Sequence, residues 1–310
     1  MDPAQLADAL RAHGILNEWH RSATLVRALA PHLEAAKRAE ALHAAREISD
    51  EQQRTEVVVA LAPHLDASQG AEAMKVAGAI QNGRHRCDAL VALAPHLDAA
   101  QRAEALQLAR AFREEHYLSC LLEALAPYLD AALHAEALQA ALGINNKVAR
   151  SQALTALAPR LDAAHRAEAL QTAQGISNTI ARSRALAAIA RHLDGAQRAE
   201  VLKEAWAIED SRYRFRVLAA LAVHLDAAQL TQALQTACAI NDNEHRSKAL
   251  AALAPHLDTA QRTVALRVAW ASDGEGFELL AALAPHLSST QLAEALQKAR
   301  IVENGADLAC

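Results

Sequence analysis

Residues 66–97 read DASQGAEAMKVAGAIQNGRHRCDALVALAPHL, and the same grammar recurs along most of the chain. The stretch opens on Asp66, whose carboxylate suits the free amides of a first helical turn. Ala71, Met74, Ala77 and Ile80 follow at helical spacing and predict a first helix, A. The polar segment QNG at 81–83 predicts a turn, and Ala89, Leu90, Ala92 and Leu93 predict a second helix, B. Pro95 reads as the stop of helix B, because its ring clashes with the turn before it and the preceding residue avoids the α region.

Working outward, Pro31, Pro63, Pro95, Pro127 and Pro159 stand 32 residues apart. Arg191 and Val223 hold the slot without proline, Pro255 restores it, and Pro285 follows after 30 residues. Asp98, Asp130, Asp162, Asp194, Asp226 and Asp258 repeat the cap of Asp66, with Ser288 in that place at the end. The spacing predicts an all-α fold: a right-handed α-α superhelix, or solenoid, of about nine 32-residue helix-turn-helix units. Units end near 33, 65, 97, 129, 161, 193, 225, 257 and 287, and residues 288–310 form a C-terminal capping helix and tail. One hairpin cannot bury its own apolar stripe, so neighbours must stack. No linker or shift in composition divides the array, which predicts a single domain over 1–310.

Composition agrees with stacking. Apolar residues make up 52% of the 310 but aromatics only 3%, so the core must be Ala and Leu, which form helices well and let them approach closely. A net charge of −5 argues against a non-specific phosphate binder. Cys87, Cys120, Cys238 and Cys310 form no CxxC pair and read as reduced thiols of a cytoplasmic protein. The start MDPAQLADAL lacks the pattern of a signal peptide, and no apolar run is long enough for a membrane span.

The hairpin resembles the tetratricopeptide family and its HEAT-like relatives among helical solenoids. Small residues where helices cross (Ala73, Ala89, Ala92) and a proline closing helix B carry the resemblance. The unit is two residues shorter than that family's 34, and AEALQ stands where its Trp and Tyr signature would be. ALAPHL arrays also look like the C-terminal repeats of some bacterial signalling ATPases, but the chain has no GxxxxGK[ST] motif. The resemblance implies protein or peptide binding.

The two edges of the unit differ. The junction ALAPHLDAAQ is nearly uniform, whereas the A–B turn varies: SDEQQR, QNGRHR, REEHYL, NNKVAR, EDSRYR, NDNEHR. Of nine aromatics, eight gather near that turn: Trp19, Phe112, Tyr117, Trp206, Tyr213, Phe215, Trp270 and Phe277. Such an edge suits a recognition surface, and it equally suits a loosely packed edge filled by large side chains. At 212–216, Arg212, Tyr213, Arg214, Phe215 and Arg216 interleave cations with aromatics, a pattern able to hold an acidic peptide or a phosphate, with no more than two of the three arginines on one face. The candidate binding residues are Trp206, Arg212, Tyr213, Arg214, Trp270, Phe277, His245, Tyr117 and His116.

Two further columns read as structural. Arg54, Arg86, Arg150, Arg182, Arg214 and Arg246 in helix B, and Glu40, Glu72, Glu104, Glu136, Glu168 and Glu200 in helix A, suggest a ladder of ion pairs. His32, His64, His96, His192, His224, His256 and His286 stand at the end of helix B and read as caps of its carbonyls. No HExxH, GxSxG or GxGxxG motif occurs, and no metal, cofactor or catalytic group is expected. The leading expectation is a non-catalytic scaffold for a protein or peptide. The alternatives are a nucleic-acid-binding repeat protein and a repeat-scaffold enzyme or small-molecule sensor.

Overall fold

The computed structural model describes residues 26, 28–271 and 277–297, with the backbone alone at 271, 277 and 278. Most of the first expected hairpin, including Trp19, the turn of the ninth and the tail beyond 297 lie outside the described residues. Two compact units divide the chain, Met1–Thr172 and Ala173–Cys310.

The first unit contains the hairpins α1 (Ala35–Glu47) with α2 (Glu51–Leu61), α3 (Ala67–Gly78) with α4 (Gly83–Leu93), α5 (Ala99–Arg110) with α6 (Glu115–Leu125), and α7 (Ala131–Leu142) with α8 (Lys147–Leu157). The division falls at α9 (Ala163–Gln174). The second unit holds α10 (Thr179–Ala190), then α11 (Gly195–Ala207) with α12 (Ser211–Leu221), α13 (Ala227–Cys238) with α14 (Asn243–Leu253), and α15 (Thr259–Ala271) with α16 (Phe277–Leu283). A helical run over 289–297 follows. No strand occurs among the described residues, and within each unit the helices pack sequentially, A on A and B on B.

The core follows the apolar spacing. Ala73, Met74, Ala77, Ile80, Ala89, Leu90 and Leu93 are fully buried in one hairpin, and Ala233, Ala237, Leu250 and Leu253 occupy the same slots in another. The residue just after helix A plugs the hairpin: Ile80, Ile144 and Ile240 are no more than 1% exposed. Alanine at the crossings keeps the helices close enough for leucine to fill the remaining space.

The junction is more specific than its composition suggests. Asp66 accepts from the Gln69 amide at 2.9 Å while the Gln69 side chain accepts from the Asp66 amide at 3.3 Å, a capping box. Asp98 with Gln101, Asp194 with Gln197 and Asp226 with Gln229 form the same box. Some of these glutamines also reach the preceding repeat. Gln69 donates to the Ala35 carbonyl at 2.6 Å and Gln101 to the Ala67 carbonyl at 2.7 Å. In the second unit Gln291 donates to the Thr259 carbonyl at 2.8 Å. These buried amides satisfy their own cap and tie one A helix to the next.

Proline does not end helix B where the sequence places the stop. The α-helix tightens into a 3₁₀ turn that contains the proline, as at Ala62–His64, and the chain turns extended only at Leu65 (φ −79°, ψ 142°). In such a turn the proline's missing N–H removes no needed bond. Val223 sits in the same turn without any proline, and where Arg191 replaces it the α-helix runs on to Ala190.

Six of the seven junction histidines do not cap by hydrogen bonds. Among the described residues no side-chain bond is made by His32, His64, His96, His224, His256 or His286. The 3₁₀ turn closes on itself instead, with the Leu65 amide donating to the Ala62 carbonyl at 3.4 Å and the Leu225 amide to Ala222 at 3.2 Å.

The bonds of the two charged columns among the described residues run elsewhere than to each other. Arginines of helix B reach back to the carbonyl that follows helix A: Arg54 to Ile48 at 3.1 Å, Arg214 to Ile208 at 2.7 Å and Arg246 to Ile240 at 3.0 Å. Carbonyls at a helix end lack partners within the helix, and a long guanidinium supplies donors to them. The glutamates bond instead to the neighbouring A helix. Glu72 pairs with Arg46, Glu136 with Arg110 at 3.0 Å, and Glu168 accepts from Gln139 at 3.1 Å. In the second unit Gln174 donates to Glu200 at 3.0 Å and Glu204 at 2.7 Å. Burial in an otherwise small or apolar slot pushes the Glu204 carboxyl above its ordinary range.

Candidate functional site

The A–B turn is built by short polar caps. Asp50, Asn82, Asn146, Asn178, Asp210 and Asp242 each accept from an amide of the first turn of helix B. In the first unit two turns receive a further carboxylate from the preceding repeat. Glu51 accepts from the amides of Gln81 and Asn82 at 2.7 and 2.8 Å, and Glu115 from those of Asn145 and Asn146 at 2.8 and 2.6 Å. Those backbone bonds hold both carboxyls below their ordinary range. Among the described residues the same slot of the second unit holds Thr179, Ser211 and Asn243, none of which carries a carboxylate.

The candidate residues separate into four places. His116 and Tyr117 belong to a packed cluster in the first unit. Their rings lie 3.8 Å apart, Phe112 is 6.0 Å from Tyr117, and the Arg86 guanidinium stands 4.8 Å over the Phe112 ring. Phe112 takes the buried plug slot held elsewhere by isoleucine. A Cβ at Gly83 would meet the Tyr117 ring at 3.2 Å, so glycine there makes room for the tyrosine. In this cluster the aromatics serve packing between repeats.

Trp206 and Trp270 lie at the end of an A helix and are half-buried. Trp206 occupies the slot that holds Arg46, Arg110 and Gln174 in other units, the slot that faces the next A helix. No ring contact joins Trp206 to Tyr213 among the described residues, so their nearness in sequence does not make one site. Beyond it, α13 and α15 bound a groove of about 680 Å³ lined by Leu234, Cys238, Ala239, Ala260 and Val264. Here the glutamate column ends, as Gln232 and then Val264. The backbone of Phe277 opens α16, and its side chain lies outside the described residues.

His245 is held by its own cap, with its amide donating to Asp242 at 2.8 Å and its Nδ1 beside the same carboxylate. Asp242 is thereby held below the usual range, chiefly by the His245 amide.

The fourth place is α12. Arg214 is turned inward to the carbonyls of Ile208 and Glu209, and Phe215 is buried at 6% exposure. Phe215 is out of a ligand's reach, and the Arg214 guanidinium is already engaged by backbone carbonyls. The other side carries Tyr213, half-buried, with the Arg212 guanidinium 5.4 Å and that of Arg216 5.9 Å from its ring centre. Arg212 is bound by Asp210 at 2.9 Å, which raises its affinity for its proton. Arg216 has no carboxylate partner among the described residues. Desolvation, and then the like charge of Arg184 on α10, push its guanidinium below its ordinary value.

Arg184 and Arg216 occupy one slot of helix B, and Lys248 of α14 continues it. Reading single hairpins misses this column; reading the same slot through successive repeats exposes it. In the first unit the slot holds Glu56, Asp88, Cys120 and Gln152, and in the second Arg184, Arg216 and Lys248, then Glu278 in the last hairpin.

For chemistry the site offers little. No group of three His, Cys, Asp or Glu able to hold a metal occurs among the described residues. Cys87, Cys120 and Cys238 are free, and burial pushes the Cys87 thiol up to about 12, where it is no nucleophile at neutral pH. No helix among the described residues is long and apolar enough to cross a membrane.

No protein-family model matches this chain, and the search of curated proteins returns no match.

Proposed function

We propose that the protein is a non-catalytic scaffold that binds a segment of another protein through helix B of its second unit. The observation that carries this reading is Tyr213, a half-buried ring held between Arg212 and Arg216 on a face whose neighbour, Arg184, is also cationic. Aromatic rings stiffened by guanidinium groups supply contact area at low entropic cost, and arginine with tyrosine is the pairing that interface hot spots favour. The resemblance to tetratricopeptide-like and HEAT-like arrays points the same way at the level of fold alone. The protein would work in the cytoplasm, with its thiols reduced.

The test is capture of partners from the native host by the tagged protein, with identification by mass spectrometry. A specific partner should be retained by the wild type and by Tyr117→Ala, and lost by Tyr213→Ala and by Arg216→Glu. Equal capture by all four proteins overturns the reading.

A further inference from the structure

Successive A helices meet along a seam that two slots close. One is the slot of Arg46 and Arg110 at the end of an A helix, and the other is the slot of Glu72 and Glu136 on the next. Arg46 pairs there with Glu72, and Arg110 with Glu136 at 3.0 Å. Where the first slot is Leu142, Gln139 one turn earlier donates to Glu168 at 3.1 Å. Where it is Gly78, Leu108 of the next A helix fills the space, 3.6 Å from the position of a Cβ. In the second unit Gln174 donates to Glu200 at 3.0 Å, and Trp206 follows in that slot on α11.

Between α13 and α15 neither a polar pair nor a large side chain stands in the two slots. They hold Cys238 and Val264, a short side chain against one with no polar atom. Here the seam opens into the groove of about 680 Å³. That volume falls among those of ligand sites, roughly 300–1,000 Å³. Leu234, Ala239, Ala260 and Val264 make its walls apolar. Polar side chains in the lining already hold one another: Gln261 donates to Thr231 at 2.9 Å, and Asp258 accepts from the Gln261 amide at 2.8 Å. The exposed Gln235 side chain makes no hydrogen bond among the described residues. Burial pushes the Cys238 thiol up, so it stays protonated and uncharged.

The chain itself shows what fits such a seam. Trp206 and Trp270 hold the slot of Cys238 on the A helices before and after it, and both are half-buried. The repeat therefore accommodates an indole at this slot on either side of the groove. A flat ring between two apolar helix faces buries a large area, whereas a charged group there would lose its water without gaining a partner.

We propose that the groove between α13 and α15 takes a tryptophan side chain from a partner segment, with its ring between Cys238 and Val264 and its backbone within reach of the Gln235 amide. This rests on the scaffold reading above for the source of the ring, and adds a contact on the A helices to the one on α12.

The experiment is fluorine NMR of the peptide Gly-Ser-Trp-Ser-Gly, its indole fluorinated, with the full chain. The reporter should broaden on adding wild type. Unlabelled peptide should displace it at about a tenth of the concentration needed by the same peptide with leucine in place of tryptophan. Cys238→Trp puts into the seam the residue its neighbours carry, and Val264→Glu restores the glutamate that the column carries from Glu72 to Glu200. Each should weaken binding about tenfold or more while melting near the wild type, because the repeat already accepts both residues. Tyr213→Ala should leave the reporter's affinity unchanged. Equal binding by wild type and Cys238→Trp, no preference for tryptophan over leucine, or an equal loss in Tyr213→Ala each overturns the site. Free indole displacing the reporter at lower concentration than the unlabelled peptide overturns the partner as the source of the ring. If the reporter does not bind while capture of a partner still depends on Tyr213, the site fails and the scaffold reading stands.

Discussion

The two units are built from one hairpin and differ on its outer surface. In both, the capping aspartate, the glutamine behind it, the plug after helix A and the arginine that reaches back to it occupy the same slots. The slot of Glu56 and Asp88 in the first unit becomes Arg184, Arg216 and Lys248 in the second, before Glu278 in its last hairpin. Turns bound by Glu51 and Glu115 in the first have no equivalent carboxylate among the described residues of the second. Even the aromatics divide: Phe112 and Tyr117 pack against Arg86 and Gly83, whereas Tyr213 is offered between two arginines. Slots that set the fold are held constant, so variation at the others carries information.

The comparison can be broken where the second unit departs most from the shared slot pattern. Phe215 fills a slot that holds Thr55, Cys87, Ser119, Ser151, Ser183 and Ser247 in the other hairpins, with Phe277 in the last. Phe215→Ala should lose about 3–5 kcal/mol in denaturant unfolding, whereas Ser183→Ala should lose about 1 kcal/mol or less. A comparable loss in both would show that the hairpin of α11 and α12 has no packing of its own. A second contrast concerns glutamine. Gln101 is 6% exposed and bridges to Ala67, while Gln197 is more exposed and bonds only within its cap. Gln101→Ala should cost about 1–3 kcal/mol, and Gln197→Ala about 0.5–1 kcal/mol, read as melting temperatures.

The acid limb sharpens the comparison of the turns. The Glu115 carboxyl is held below its unfolded value by the Asn145 and Asn146 amides. Its contribution is therefore complete above the unfolded value of about 4.3 and is lost as pH falls through the lower, folded one. The difference in melting temperature between wild type and Glu115→Gln should be largest near neutral pH and shrink on acidification. A constant difference would show that the hydrogen bonds do not depend on the charge. The smallest effect on stability is expected at the proposed binding face. Tyr213→Ala and Arg216→Glu should move unfolding by no more than about 0.5 kcal/mol, because they are surface positions outside the shared slots. Larger losses would turn that face into architecture.

Much of the fold is legible along the chain because each repeat repeats its own evidence. The aspartate caps, the apolar spacing of Ala71, Met74, Ala77 and Ile80, and the polar N-caps of helix B all mark local events, settled within one or two turns. The site is less legible. Arg212 to Arg216 draw the eye as a cluster, yet Arg214 and Phe215 face inward, and Trp206 belongs to the seam between A helices. Adjacent residues of a helix point apart by about 100°, so nearness in sequence misleads. The columns Arg54–Arg246 and Glu40–Glu200 suggest partners by charge alone, whereas backbone carbonyls and neighbouring A helices claim them first.

By itself the sequence determined the repeat, its two helices, its caps and the alanine–leucine core, because those depend on backbone propensity and on spacing within a single unit. Only the tertiary structure decided which side of helix B each arginine takes, that Gln101 bridges repeats, and that Arg216 lies within the field of Arg184 on the neighbouring helix. Those outcomes depend on what the neighbouring repeat presents at the same slot, and that is fixed by packing rather than by order along the chain.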